Sequence, residues 1–571
     1  MKKRLEAVLL VAQRLQPTDW QRTLAWAVIV GVTGALATLG FREGLVAIEH
    51  LLYRTSGTAG LVEAAQSLAW WQRLIAPAIG GLLAGSVLSF AARHLKSSPH
   101  GDYMEAVVLG RGELEAGNSL LRALSSAFSV ASGGAIGREG PMVQLAALTG
   151  SLLGRWRNMP VPRRRLLVAC GAAAGLTTAY GTPIAGALFI AEIVLQSLAT
   201  ETLAPLLIAS VSAHATVATL VGSASLYTMP TLPPLGGTTL LLCGALGLIA
   251  GLAAPAYLRV LDLAKAGFAK LNIGLPLKLA LGGLMVGALS IVAPQVWGNG
   301  FSVVNSVLQG QWIWQSLLLV VALKLVAVAA TTGSGAVGGI FTPTLFMGAV
   351  SGALLAFGSN AFLGAPLPEP LGAAVGMGAF LAASTHAPLT SVLMVFEMTE
   401  NYTVVAPLML ACVLAFSVSR LLRPDSIYAS SQKQKAATDP RLITARDLLR
   451  TDSCTTTPAS SIEDVERSLL ESRWRHVYVV DGEKIFLGAI AMHDLAGLLK
   501  APHDPKGPWP RELLQANYPR LRLAMPLWEV LEVFEAHPGE RLPVLDDSGH
   551  LAGHLTKTDL VLMLRDRLAI S

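Results

Sequence analysis

The chain is 571 residues long, 53% hydrophobic and only 14% charged, with a mean hydropathy of +0.54. That balance lies well outside the soluble norm and places much of the chain in lipid. The formal net charge of +6 fits cytoplasmic anchors of a membrane protein better than a nucleic-acid surface, so no nucleic-acid partner is expected.

From the start, "MKKR" precedes a short apolar run interrupted by Gln, Arg and Gln. This pattern predicts a cytoplasmic N-terminal helix over 1–20 rather than a secretory signal. Spanning segments are predicted at Leu24–Leu39, Leu74–Ala92, Thr238–Leu258, Leu277–Val292 and Leu317–Ala330. The apolar stretches 131–150, 181–195, 333–358 and 381–396 are interrupted by Gly and Pro. Such breaks are tolerated at depth only where the freed backbone is buried in protein or lines a cavity. Basic residues at 155–165 ("RWRNMPVPRRR") and from Arg420 to Arg423 mark cytoplasmic ends. The expected location is the bacterial inner membrane, with several spans and both termini cytoplasmic.

Two short frames recur. "SGGAIGREGP" (132–141) and "SGAVGGIFTP" (334–343) are offset by 202 residues. "PIAGALFIAE" (183–192) and "PLTSVLMVFE" (388–397) are offset by 205. Repetition in one order predicts two related halves, about 21–222 and 236–428, within a transport domain of 21–428. Repeated halves with broken helices at matching positions are the signature of a transporter whose site lies where the halves meet. Pro141 and Pro343 suit the first turn of a helix, where a missing N–H costs nothing. Helix N-termini carry open N–H donors and partial positive charge, so such a site favours an anion. No acidic cluster for a metal accompanies the frames.

These residues resemble the CLC family of chloride channels and chloride/proton antiporters. "GREGP" (137–141), "GGIFTP" (338–343) and the Pro-to-Glu helices carry the likeness, and "DYMEAV" (102–107), "WGNGFSVV" (297–304) and "DSIY" (425–428) look like its bacterial ClcB-type branch. The resemblance implies an all-α polytopic membrane fold with two inverted-topology repeats and broken helices. It also implies a homodimer in membrane lipid, with a separate path for chloride or a similar anion in each subunit. Glu139 matches the gating glutamate, framed by Gly137, Arg138, Gly140 and Pro141. Ile340 and Phe341 match residues whose backbone amides face the anion, and Tyr428 matches the tyrosine at the central ion. The inner anion loop falls on "SSPHG" (97–101), with Ser98 as its serine and the usual glycines changed.

A second departure concerns protons. Antiporters of the family often carry two adjacent glutamates where this chain reads Glu192–Ile193. Glu192 matches the more structural of the pair, and Glu397 stands at its mirror position. Isoleucine carries no proton, so the expectation is channel-like or loosely coupled chloride flux. The alternative is a chloride/proton antiporter with a water-mediated proton path. A fluoride exporter is expected to lack the tyrosine seen at Tyr428, and a cation-coupled solute carrier does not fit the specific motifs. No metalloprotease, P-loop or Ser/His frame suggests an enzyme.

The tail differs in kind. Residues 431–571 hold 38 of the 80 charged residues, which predicts a linker at 429–442 and a soluble α/β unit at 443–571. "HVYVVDGEKIFLGAIAMHDL" (476–495) and "RLPVLDDSGHLAGHLTKTDL" (541–560) align at an offset of 65 residues. They resemble tandem CBS modules, about 443–500 and 510–571. The resemblance implies an adenine nucleotide held by a Ser/Thr and an Asp three residues later. Thr556 and Asp559 satisfy that pattern, whereas Asp494 stands alone; helix N-capping explains the same residues equally well. No other cofactor is required. The four cysteines, Cys170, Cys243, Cys412 and Cys454, show no spacing for zinc or a disulfide frame.

Overall fold

The structure is a computed structural model that describes residues 19–53, 60–95, 102–222, 225–364, 367–428, 444–472, 474–499, 504–537 and 539–568. Ser98 and its loop, the linker and nearly all of the expected N-terminal helix lie outside these residues. The chain divides into two units, 1–432 and 433–571, close to the change in charge density.

In the first unit, α1 (Asp19–Tyr53), α2 (Leu61–Ser67), α3 (Trp70–His94) and α4 (Tyr103–Val108) lead into the first half. The half continues with α5 (Ala116–Ala131), α6 (Glu139–Trp156), α7 (Val161–Tyr180), α8 (Pro183–Phe189) and α9 (Thr200–Leu220). The second half holds α10 (Gly237–Lys270), α11 (Leu275–Val292), α12 (Phe301–Leu308), α13 (Trp314–Gly333) and α14 (Phe341–Gly358). It ends with α15 (Glu369–Thr385), α16 (Pro388–Thr399) and α17 (Val405–Leu422). Eight helices among the described residues are long and apolar enough to cross a membrane. The expected boundary at residue 20 falls inside α1, because nothing at Trp20–Gln21 breaks a helix. Stretch 333–358 is likewise less broken than its glycines suggest: its helix runs unbroken from Phe341 to Gly358.

The halves mirror each other element by element. α6 and α14 are both 18 residues long and start 202 positions apart. α6 packs on α7 as α14 packs on α15, and α1 packs on α9 as α10 packs on α17. Their topologies are inverted. Gly137 and Gly339 form an antiparallel bridge, each N–H donating to the other's carbonyl at 2.7 and 2.8 Å. The two broken loops therefore run in opposite directions where they meet. Gly133 and Gly335 hold matching left-handed turns, φ +100° and +99°, which only glycine adopts freely.

In the second unit, two three-stranded sheets repeat one plan. The first contains β1 (Thr455–Thr456), β2 (His476–Val480) and β3 (Phe486–Ala491), and the second β4 (Leu521–Arg522), β5 (Arg541–Leu545) and β6 (Leu551–Thr556). In each, the first pair is parallel and the second antiparallel, with a bulge at Val479/Val480 and at Val544/Leu545. These bulges lie 65 residues apart, so the sequence repeat is a structural one. Asp481 and Asp546 explain the strand-ending aspartates, since each Oδ1 accepts two backbone N–H groups of the following turn.

Burial pushes the His554 imidazole down to about 4. A lowered imidazole pKa means the unfolded chain binds more protons between about 6.5 and 4. The isolated unit 433–571 is therefore expected to lose stability as pH falls through that window and to level off below it. Urea midpoints from pH 7.5 to 4 check this, and His554→Gln is expected to flatten the profile.

Candidate functional site

The site forms where the two broken loops cross. By helix geometry, the first N–H groups of α6 and α14 have no intrahelical acceptor, and the glycine bridge brings both N-termini to one place. Glu139 opens α6 and is 5% exposed. A Cβ at Gly137 would lie 1.7 Å from its Oε2, and one at Gly339 would lie 2.6 Å from it. The carboxylate thus fills space that two side chains would otherwise take. Its Oε1 accepts the Thr342 hydroxyl, and Thr342 Oγ1 lies 3.0 Å from the Tyr180 hydroxyl. Oε2 is buried without a hydrogen-bond partner among the described residues.

From the crossing, aromatic rings pack in a series toward Tyr428. Tyr180 and Phe341 sit 5.1 Å apart by centroid, Phe189 and Phe341 5.9 Å, and Phe189 and Tyr428 5.7 Å. Gly137, Arg138, Glu139, Gly140, Ile340 and Phe341 belong to the crossing, with Tyr428 joined through Phe189. Phe341 occupies the mirror position of Glu139 at the 202-residue offset. A single carboxylate therefore stands at a nearly symmetric crossing. Thr342, Tyr180 and Phe189 were not foreseen. Thr342 offered a signal, as a hydroxyl between the apolar Phe341 and the helix-starting Pro343.

The Pro-to-Glu helices bind each other end to end. Glu192, just past α8, accepts the Thr390 N–H at 2.9 Å and its hydroxyl at 2.6 Å. Glu397 of α16 accepts the N–H groups of Ile184 and Ala185 at 2.9 and 2.8 Å. Each carboxylate caps the N-terminus of the other's helix, which is the structural role expected of both. Ile193 is buried. His386 ends α15 at φ +59° with its ring 5.9 Å from Phe416, a packing position.

In the tail, Thr556 Oγ1 donates to Asp559 Oδ2 at 2.6 Å and accepts the Asp559 N–H at 3.0 Å. Arg450 Nη2 pairs with Asp559 Oδ1 at 2.6 Å. Asp494 accepts Gln515 Nε2 at 3.0 Å. Thr556 and Asp559 thus cap the last helix reciprocally, and Asp494 is held by Gln515. A separate cavity of about 720 Å³ is lined by Trp474, His476, Tyr478, Gln515, His537 and Arg541. Tyr478 Oη, His537 Nε2 and Arg541 Nη1 are buried there without partners among the described residues.

Comparison with known proteins places these features. The family model described as voltage gated chloride channel matches residues 80–420, and the CBS domain model matches 445–501 and 511–566. A ClcB-like protein of Ralstonia nicotianae is 50% identical over 411 residues, covering 71% of this chain and 95% of that one. The voltage-gated ClC-type chloride channel ClcB of Citrobacter koseri is 43% identical, covering 71% and 98%. Among solved structures, a slow cyanobacterial Cl⁻/H⁺ antiporter superposes with a TM-score of 0.64 at 26% identity, covering 73% of this chain and 98% of its own.

Proposed function

The chain belongs to the voltage gated chloride channel family, and from that premise we propose that it carries chloride across the membrane along a path gated by Glu139. One observation carries the reading: a lone carboxylate wedged between two helix N-termini that are themselves built to attract an anion. While ionised, Glu139 takes an anion's place and holds the Thr342 hydroxyl as its donor. Once protonated it has no net charge to set against the positive helix ends, and an anion displaces it. Ile340, Phe341, Gly140 and Arg138 then face the anion from the outer side, and Tyr428 meets it farther in.

The flux is channel-like or loosely coupled to protons. Ile193 offers neither a titratable group nor a hydrogen bond, and adjacent Glu192 is occupied by two donors from Thr390. Passing a bare charge beside that apolar side chain is costly at membrane depth. The likeness to a Cl⁻/H⁺ antiporter supports the second reading, tight exchange through water. The protein works as a homodimer with one path per subunit, in the bacterial inner membrane, with both termini cytoplasmic.

Chloride efflux from liposomes tests the function. Reconstituted protein is expected to release chloride once a potassium shunt is added, whereas absence of release would remove anion transport altogether. For the tail, we propose that an adenine nucleotide binds in the 720 Å³ cavity, where Arg541, stacked on Trp474 with its Nη1 left without a hydrogen bond among the described residues, and the aromatic walls suit phosphate and base. Titration of residues 433–571 with millimolar AMP or ATP giving no heat would dismiss that ligand.

A further inference from the structure

A second carboxylate faces the approach to the gate. At Arg138, the residue before Glu139, a small cavity of about 110 Å³ is lined by Glu49, Arg138, Trp297, Asn299 and Ser302, among others. Glu49 lies near the C-terminal end of α1, one turn before Tyr53. On the proposed topology α1 begins at the cytoplasmic side, so this end and the cavity lie on the outer side. Glu49 and Arg138 are both half-buried, and their opposite charges attract across the cavity. Among the described residues that line it, they are the only ionisable side chains.

The cavity's walls are fixed. Lys324, fully buried on α13, donates to the carbonyls of Val296 at 2.8 Å and Gly298 at 2.7 Å. Gly298 N in turn donates to Gly133 O at 3.3 Å. A Cβ at Gly133 would come within 2.4 Å of the Trp297 ring. The wall loop is thereby pinned to the same segment, residues 132–138, that presents Glu139. That holds the Arg138 side of the cavity in place, while Glu49 faces it from α1.

We propose that Glu49 sets how readily an anion reaches the gate, by offsetting the charge of Arg138 at the outer approach. It is a positioning charge: it touches neither Glu139 nor the helix N-termini. An arginine with a carboxylate across a narrow, partly desolvated cavity presents little net field to an arriving anion. Without the carboxylate, the same arginine concentrates anions at the mouth, and the effect weakens as salt screens it. This rests on the reading of the protein as an anion path with Glu139 as its gate.

The test is the initial rate of chloride uptake by the full-length protein in liposomes, with external chloride varied at constant ionic strength. Glu49→Gln is expected to lower the half-saturating chloride concentration by about threefold, the scale of one partly exposed charge, while the maximal rate stays within about twofold. Adding an impermeant salt is expected to shrink that shift, and Glu49→Asp to remain near wild type. Should Glu49→Gln fail to assemble, Glu49→Cys combined with Cys454→Ser provides the same comparison, since Cys170, Cys243 and Cys412 are buried and Cys454 is half-buried. Anionic and cationic thiol reagents are then expected to move half-saturation in opposite directions. An unchanged half-saturating concentration, a change in maximal rate alone, or a shift indifferent to salt would overturn the role of Glu49. No uptake by the wild-type protein would instead overturn anion transport itself.

Discussion

In liposomes carrying Glu139→Gln, chloride flux is expected to vary by less than about twofold between pH 7.5 and 4.5, whereas wild-type flux is expected to climb steeply as pH falls. A single titrating carboxylate changes its ionised fraction by up to about tenfold per pH unit, so the wild-type change is large and its loss easy to see. The cause is local. Glutamine keeps the shape of a protonated glutamate and still meets the Thr342 hydroxyl, yet it never carries the charge that competes with the anion. Glu139→Ala is expected to abolish the pH response as well, and to leave the space between Gly137 and Gly339 open at every pH. Measured as efflux under a potassium shunt, a mutant that kept the wild-type pH profile would show that Glu139 is not the gate.

The second large effect is on stability. Glu397→Ala removes the acceptor for two N–H groups at the start of α8, and Glu192→Ala removes the acceptor for the N–H and hydroxyl of Thr390. These donors are exposed or half-buried, and a hydrogen bond of that kind is worth about 1 kcal/mol, so each substitution is expected to destabilise the membrane unit by about 1–2 kcal/mol. Thermal unfolding in detergent reads this directly. Because both carboxylates join the same two helices, the double mutant is expected to lose less than the sum of the single losses. Phe189 on α8 packs edge-on against Tyr428, so on the proposed path the surviving fraction is also expected to discriminate less between chloride and larger anions. Melting temperatures unchanged by either substitution would mean that the caps contribute nothing.

Much of this arrangement was legible in residue order. Gly133 and Gly335, Pro141 and Pro343, and Glu192 and Glu397 stand at matching places because each half must break its helices at the same depth. The change in charge density near residue 431 anticipated the unit boundary, and the 65-residue repeat anticipated the paired bulges of the tail. Contacts across the crossing were less legible. Thr342 and Glu139 lie 203 positions apart, and nothing local in either segment says that one hydroxyl will reach the other. Glu192 and Glu397 were readable as structural carboxylates, but their reciprocity depends on how α8 and α16 pack. Thr200–Leu220 escaped as a span because Ser210, Ser212, His214 and Thr216 dilute its apolar signal, although helix and bilayer accommodate short hydroxyl side chains bonded to their own backbone. In the tail, the order of residues allowed Asp559 to be read equally as a helix cap or as a ligand residue, and it makes the cap with Thr556 and a pair with Arg450.

The central claim is that the anion passes Glu139 without an obligatory proton path through Ile193. Its most direct test is the reversal potential of the reconstituted protein under a chloride gradient, with pH recorded at the same time. The expected result is a reversal potential at the chloride equilibrium value, or close to it, with no uphill proton movement. Sustained proton pumping at fixed stoichiometry, with the reversal potential displaced accordingly, would contradict it.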